Sequence, residues 1–139
     1  MSLSNNYFHY WVDSKKDEEI KKFQECIDSY IYFKKDSLLI TNQLIRENRN
    51  FQAPKLLKTF LLLFSRDINN LTLAKDTIKS ISVDNINNHF HKYLEVAKLW
   101  INNDLRNLLN KLELIINENP KDIFAIRLFH FNNIFVGID

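Results

Sequence analysis

DLRNLLNKLELIINENPKDIFAIRLFHFNNIFVGID, residues 104–139, reads as one and a half helical hairpins. Leu105, Leu108, Leu109, Leu112, Ile115 and Ile116 recur three and four residues apart, which is one face of a helix. Asn117-Glu118-Asn119-Pro120 ends that helix, because proline cannot continue it and disfavours helical geometry in the residue before it. A second helix starts at Lys121-Asp122, with an acidic residue in its first turn. It carries Ile123, Phe124, Ile126, Leu128, Phe129, Phe131, Ile134, Phe135 and Val136, and it runs to Gly137, the only glycine of the chain. A helix apolar nearly all round needs cover on more than one side.

Working upstream, the same period recurs. Asp17-Glu18-Glu19 places carboxylates at the positive end of a helix whose inward positions are Ile20, Phe23, Ile27, Tyr30 and Ile31. Asp36-Ser37 is expected to cap a helix with the face Leu38, Leu39, Asn42 and Ile45, followed by a polar loop over residues 46–52. Pro54 suits the first position of another helix, with Leu56, Leu57, Phe60, Leu61 and Phe64 inward. A shorter helix uses Leu71, Ala74 and Ile78. Asp84 is expected to cap a long one through Ile86, Phe90, Tyr93, Leu94, Ala97 and Ile101, and Asn102-Asn103-Asp104 turns the chain into the next helix. Residues 7–11 suggest the end of a short aromatic helix. Period-two alternation is absent, so the predicted fold is all-α, with six to eight helices in antiparallel pairs.

Composition agrees. One Gly and two Pro in 139 residues leave few tight turns, and 45% hydrophobic with 13% aromatic content supplies a core. This length reads as one domain, burying roughly two thirds of its unfolded surface. The net charge of +2 comes from 19 basic and 17 acidic residues spread along the chain. That is an ordinary solvated surface and does not imply nucleic acid. The scattered Asn, Ile and Lys read as the coding bias of an A/T-rich genome. A single cysteine, Cys26, excludes an intramolecular disulfide and suits a cytoplasmic protein. No signal peptide is visible in residues 1–13. The longest apolar stretch, residues 56–64, is interrupted by Lys58 and Thr59 and is too short for a membrane span.

Helix pairs joined by short turns match the tetratricopeptide pattern, a hairpin of roughly 34 residues. With Pro120 as the proline that closes a repeat, Asn103-Asp104 falls at the turn between its two helices, and Gly137 falls one period later at the equivalent turn. The small residues such a repeat needs are expected near Val96, Leu108 and Ile115, none of which is small, so the repeat is degenerate. The segment Trp100-Ile101-Asn102-Asn103-Asp104, then Leu112-Glu113 and Asn119-Pro120, then Asp122, Ala125, His130 and Gly137, resembles the tetratricopeptide repeat protein 38 family. Leu112-Glu113 stand where that family has Trp-Glu, and Asn119-Pro120 replace His-Pro, while Asp122, Ala125 and His130 match directly. Tyr10-Trp11, Cys26 and the helix over residues 33–45 resemble the start of the same helical array. The resemblance implies an α-α superhelical scaffold. It also implies that residues 1–139 are the amino-terminal portion of a longer array, a single domain truncated at its C-terminal end. It supplies no catalytic residues.

Chemical motifs are sparse. His89 and His91 lie two apart, so on a helix they point in different directions, and no glutamate completes a zinc-protease spacing. Glu18-Glu19 belong to a first helical turn, and no glycine-rich phosphate loop exists. Cys26 reads as a buried small thiol. Lys15, Lys16, Lys21 and Lys22, broken by acids, read as a solvated face. The expected function is therefore a non-enzymatic helical-repeat scaffold, or the remnant of one, without catalytic, cofactor or metal residues, acting through protein contacts. The alternative is a small helical-bundle enzyme using His89, His91 or His130. The expected contact surface is the last helix. One stripe, Phe124, Leu128, Phe131 and Phe135, can pack on the preceding hairpin. A second, Ile123, Ile126 and Ile134, then faces water and takes a partner protein or a second copy.

Overall fold

The computed structural model describes residues 11–31 and 36–136, with the side chains of Ile31 and Val136 left out. Residues 7–10, Phe33 and Gly137, on which parts of the helix and repeat reading rest, lie outside the described residues. Seven α-helices and no strand occur among them: α1 Asp17–Ile31, α2 Ser37–Glu47, α3 Ala53–Phe64, α4 Ile68–Lys79, α5 Asn88–Ile101, α6 Leu105–Glu118 and α7 Ile123–Val136. Each helix packs against its neighbours in sequence through short connections, which sets consecutive helices antiparallel. The odd-numbered helices also pack on one another, α1 on α3 and α3 on α5, so they form one layer, flanked by α2, α4 and α6.

Local chemistry explains most of the boundaries. The Asp67 carboxylate accepts from the Asn69 N–H at the start of α4, and Asn87 Oδ1 accepts from the Phe90 N–H at the start of α5. α5 ends in a tight cap: Asn103 has φ 57°, its N–H donates to the Trp100 carbonyl, and the Asp104 N–H reaches back to the Leu99 carbonyl. Asparagine thus fills the left-handed position usually given to glycine. Arg66 does the same after α3, with φ 55°.

Three local expectations are corrected. α5 begins at Asn88, not after Asp84, because Asn87 supplies the capping oxygen; Ile86 stays outside the helix. Residues 46–52 are not a purely polar loop, since α2 continues to Glu47 and Phe51 and Gln52 are buried. The face of α2 is also turned: Ser37, Thr41 and Leu44 point inward, Asn42 and Ile45 of the expected face are half-buried, and Leu38, Leu39 and Ile40 are exposed. Inward, Ser37 Oγ donates to Ser29 Oγ and Thr41 Oγ1 donates to the Ser37 carbonyl, so the small hydroxyls are satisfied where α2 lies against α1.

The core centres on aromatic rings of the odd-numbered helices. Phe124 of α7 lies 5.7 Å from Phe60, 6.4 Å from Phe64 and 6.0 Å from Tyr30, ring centre to ring centre. The last described helix therefore touches α1 and α3 as well as its sequence neighbours. Trp11, ahead of α1, stands 5.8 Å from Phe60, 4.3 Å from Tyr93 and 5.0 Å from Phe124. Val96, Leu108 and Ile115, the positions where small residues are expected, are all buried.

Candidate interaction surface

α7 starts where a buried carboxylate satisfies its free amides. Asp122 Oδ1 accepts from the Ala125 N–H at 3.0 Å, while Oδ2 accepts from the hydroxyl of Tyr93 on α5. Burial pushes the Asp122 carboxyl above its usual range, although the Tyr93 hydroxyl, the backbone amides and the charge of His89 pull the other way. Lys92 pairs with Glu118 and Lys111 with Glu95, which ties α5 to α6 beside this cap. α7 is thereby held at its first turn by α5.

From that anchor the helix presents two faces. Phe124, Ala125, Leu128 and Asn132 are fully buried. Phe131 and Phe135 complete that stripe at its edge: Phe131 stacks edge-on to Phe64 at 4.8 Å and lies 5.7 Å from Trp100, and the Arg66 guanidinium sits 3.6 Å above the Phe135 ring. On the other side Ile123 is 44% and Ile134 65% exposed, with His130 and Asn133 exposed between them and Ile126 half-buried. The aliphatic strip is thus open at both ends of the helix and partly covered in the middle. Asn132 is a residue the sequence pattern does not single out. It stands next to the exposed Asn133 but is wholly buried, donates to the Leu128 carbonyl and leaves its own Oδ1 without a partner.

The remaining candidates are dispersed. His89 is half-buried on α5 beside Asp122, His91 is exposed one step further along that helix, and His130 is exposed on α7. No group of three His, Cys, Asp or Glu able to hold a metal occurs among the described residues. Cys26 is wholly buried, and desolvation pushes its thiol up to about 11, which leaves it protonated and unreactive at neutral pH. A cleft of about 260 Å³ lies between the α3–α4 turn and the end of α5, lined by Leu62, Leu63, Arg66, Ile68, Leu71 and Trp100 among others. No helix among the described residues is long and apolar enough to cross a membrane. Protein-family models, characterised proteins and solved structures yield no match to the chain.

Proposed function

We propose that this chain is a non-enzymatic helical-pair scaffold that acts through protein contacts, with the outward face of α7 as its contact surface. The observation that carries this reading is the exposure of Ile123 and Ile134 on one face of a helix whose opposite face is fully packed. Isoleucine fully buried at an interface gains roughly 1.5–3 kcal/mol over exposure, so two or three such residues supply real affinity. The resemblance to the tetratricopeptide repeat protein 38 family agrees with a scaffold, since it implies an α-α superhelical array of undetermined biochemical role. The occupant is another protein or a second copy of the chain, and neither nucleic acid nor a membrane span enters the reading. The cytoplasm is the compartment that a lone buried thiol suits.

Replacing Ile126 and Ile134 together by Lys tests the surface. If copies pair through α7, sedimentation shows a concentration-dependent species for the wild type and a monomer for the variant. A wild type that stays monomeric across micromolar concentrations removes self-association and leaves a different protein as occupant. Metal analysis of the purified chain separates the scaffold from a histidine-based enzyme, which would carry stoichiometric zinc or iron.

A further inference from the structure

α4 is the least deeply packed helix of the array, with Ala74 alone fully buried. Two clefts, each open to water on one side, follow one another along it, opposite the end of α5. The first, of about 260 Å³, lies against Leu62, Ile68, Leu71 and Trp100. The second, of about 240 Å³, is lined by Lys75, Ile78, Lys79, Lys98, Ile101 and Asn102, and Ile101 borders both. Ile68 is 77% exposed, and Leu71, Ile78 and Ile101 are half-buried. A strip of aliphatic side chains is thus left part-wet along a helix of 12 residues, about 18 Å long.

The charge around this strip has one dominant sign. Lys75, Lys79 and Lys98 are exposed, and none has a carboxylate at ion-pair distance among the described residues, whereas Lys22, Lys92 and Lys111 each pair with a glutamate. Arg66, beside the first cleft, lies over the Phe135 ring and is likewise without a carboxylate. The one acid lining either cleft is Asp67, whose Oδ1 is taken by the Asn69 N–H.

We propose that this strip is a docking groove for an acidic amphipathic helix of another protein. The apolar residues of that helix lie on Ile68, Leu71, Ile78 and Ile101, and its carboxylates meet Lys75, Lys79 and Lys98. Clefts open to water on one side need an occupant with one apolar and one polar face. A helix of three turns matches the length of α4. Unpaired lysines beside apolar surface favour carboxylates over ammonium groups and steer the encounter. The described helices of a second copy do not supply this occupant. α7, the contact surface proposed above, has no Asp or Glu between Ile123 and Val136. α1 is strongly acidic, with Asp17, Glu18 and Glu19 in its first turn, but its Ile20, Phe23 and Ile27 are buried in the core. The groove is therefore a second surface, independent of the α7 face.

Backbone amide shifts of the isotope-labelled chain test the groove, with two model helical peptides of about four turns as probes. Both carry leucine at alternating third and fourth positions, flanked by glutamate in one and by lysine in the other. The acidic peptide should saturably shift the amides of α4 and of residues 98–103, and bind at least tenfold more tightly than the basic one. Lys75→Glu combined with Lys79→Glu, both at exposed positions, should reverse that preference and leave the circular-dichroism spectrum unchanged. Equal binding of the two peptides, shifts confined to other helices, or no binding of the acidic peptide up to about 1 mM overturns the proposal. Vesicles of phosphatidylcholine and phosphatidylserine form a third arm. If they perturb the same amides while the acidic peptide does not, the strip meets a lipid surface and the proposal fails. Should the double variant not fold, the preference of the wild type between the two peptides decides alone.

Discussion

At the scale of single residues, the half-buried Asp13 and the buried Asp122 join elements that are far apart in sequence. Asp122 closes the first turn of α7 and binds the Tyr93 hydroxyl, so Asp122→Ala removes a helix cap and a hydrogen bond between α7 and α5. We expect a loss of about 1–3 kcal/mol in denaturant unfolding, from the cost of a lost cap and of a lost hydrogen bond. A loss under half a kcal/mol would mean that water reaches the site. Both carboxyls have folded values raised from 3.8, Asp13 through burial with a small contribution from Glu19, Asp122 through burial against the opposing charge of His89. Between the unfolded and folded values the folded chain holds more protons, so stability falls as pH rises. The contribution of these groups is complete below about pH 3.8 and is lost as pH rises through their folded values. Thermal unfolding of the wild type and Asp122→Asn at pH 7 and pH 4.5 should therefore show the difference between them moving in favour of the wild type at the lower pH. A pH-independent difference would refute the assignment.

At the scale of elements, α2 shows where periodicity misleads. Its apolar residues Leu38, Leu39 and Ile40 are consecutive, and its single inward large residue is Leu44. The close approach of α1 selects the hydroxyl side of the helix, because Ser29, Ser37 and Thr41 are small and can satisfy one another or the backbone. Leu39→Gln, at a position 64% exposed, should change stability by no more than about 0.5 kcal/mol. Leu44→Ala, at 3% exposure, should cost about 2–5 kcal/mol. Urea unfolding of the two variants checks the turned face, and the opposite ranking would restore the face that the periodicity predicts. The other helices obey their pattern more closely: Phe90, Tyr93, Leu94 and Ala97 of α5 and Leu108, Leu112 and Ile115 of α6 are buried as their spacing predicts. The caps were less legible. An Asx residue before α5 exists at Asp84 as well as at Asn87, and only the path of the chain past Ile86 chooses between them.

At the scale of the whole molecule, closure depends on α7 and on Trp11. In an array whose repeats touch only their neighbours, damage to the last helix stays local. Here Phe124 reaches Tyr30 of α1, Phe60 and Phe64 of α3, and Trp11. Phe124→Ala should accordingly cost about 3–5 kcal/mol and lower hydrogen-exchange protection in α1 and α3 as well as in α7. Protection lost in α6 and α7 alone would show that the ends of the layer are energetically independent. The sequence by itself determined the all-helical class, a range of six to eight helices that includes the seven among the described residues, and the inward faces of most of them, because helical period and proline placement are local properties of the chain. It also marked the two strips of α7, at Phe124, Leu128, Phe131 and Phe135 and at Ile123, Ile126 and Ile134. Which way α2 faces, that Asn132 is buried, and that Trp11 and Asp13 hold α3 from some forty residues away were decided only by tertiary structure. Those features depend on which surfaces meet, and no spacing within a single helix records what lies against it.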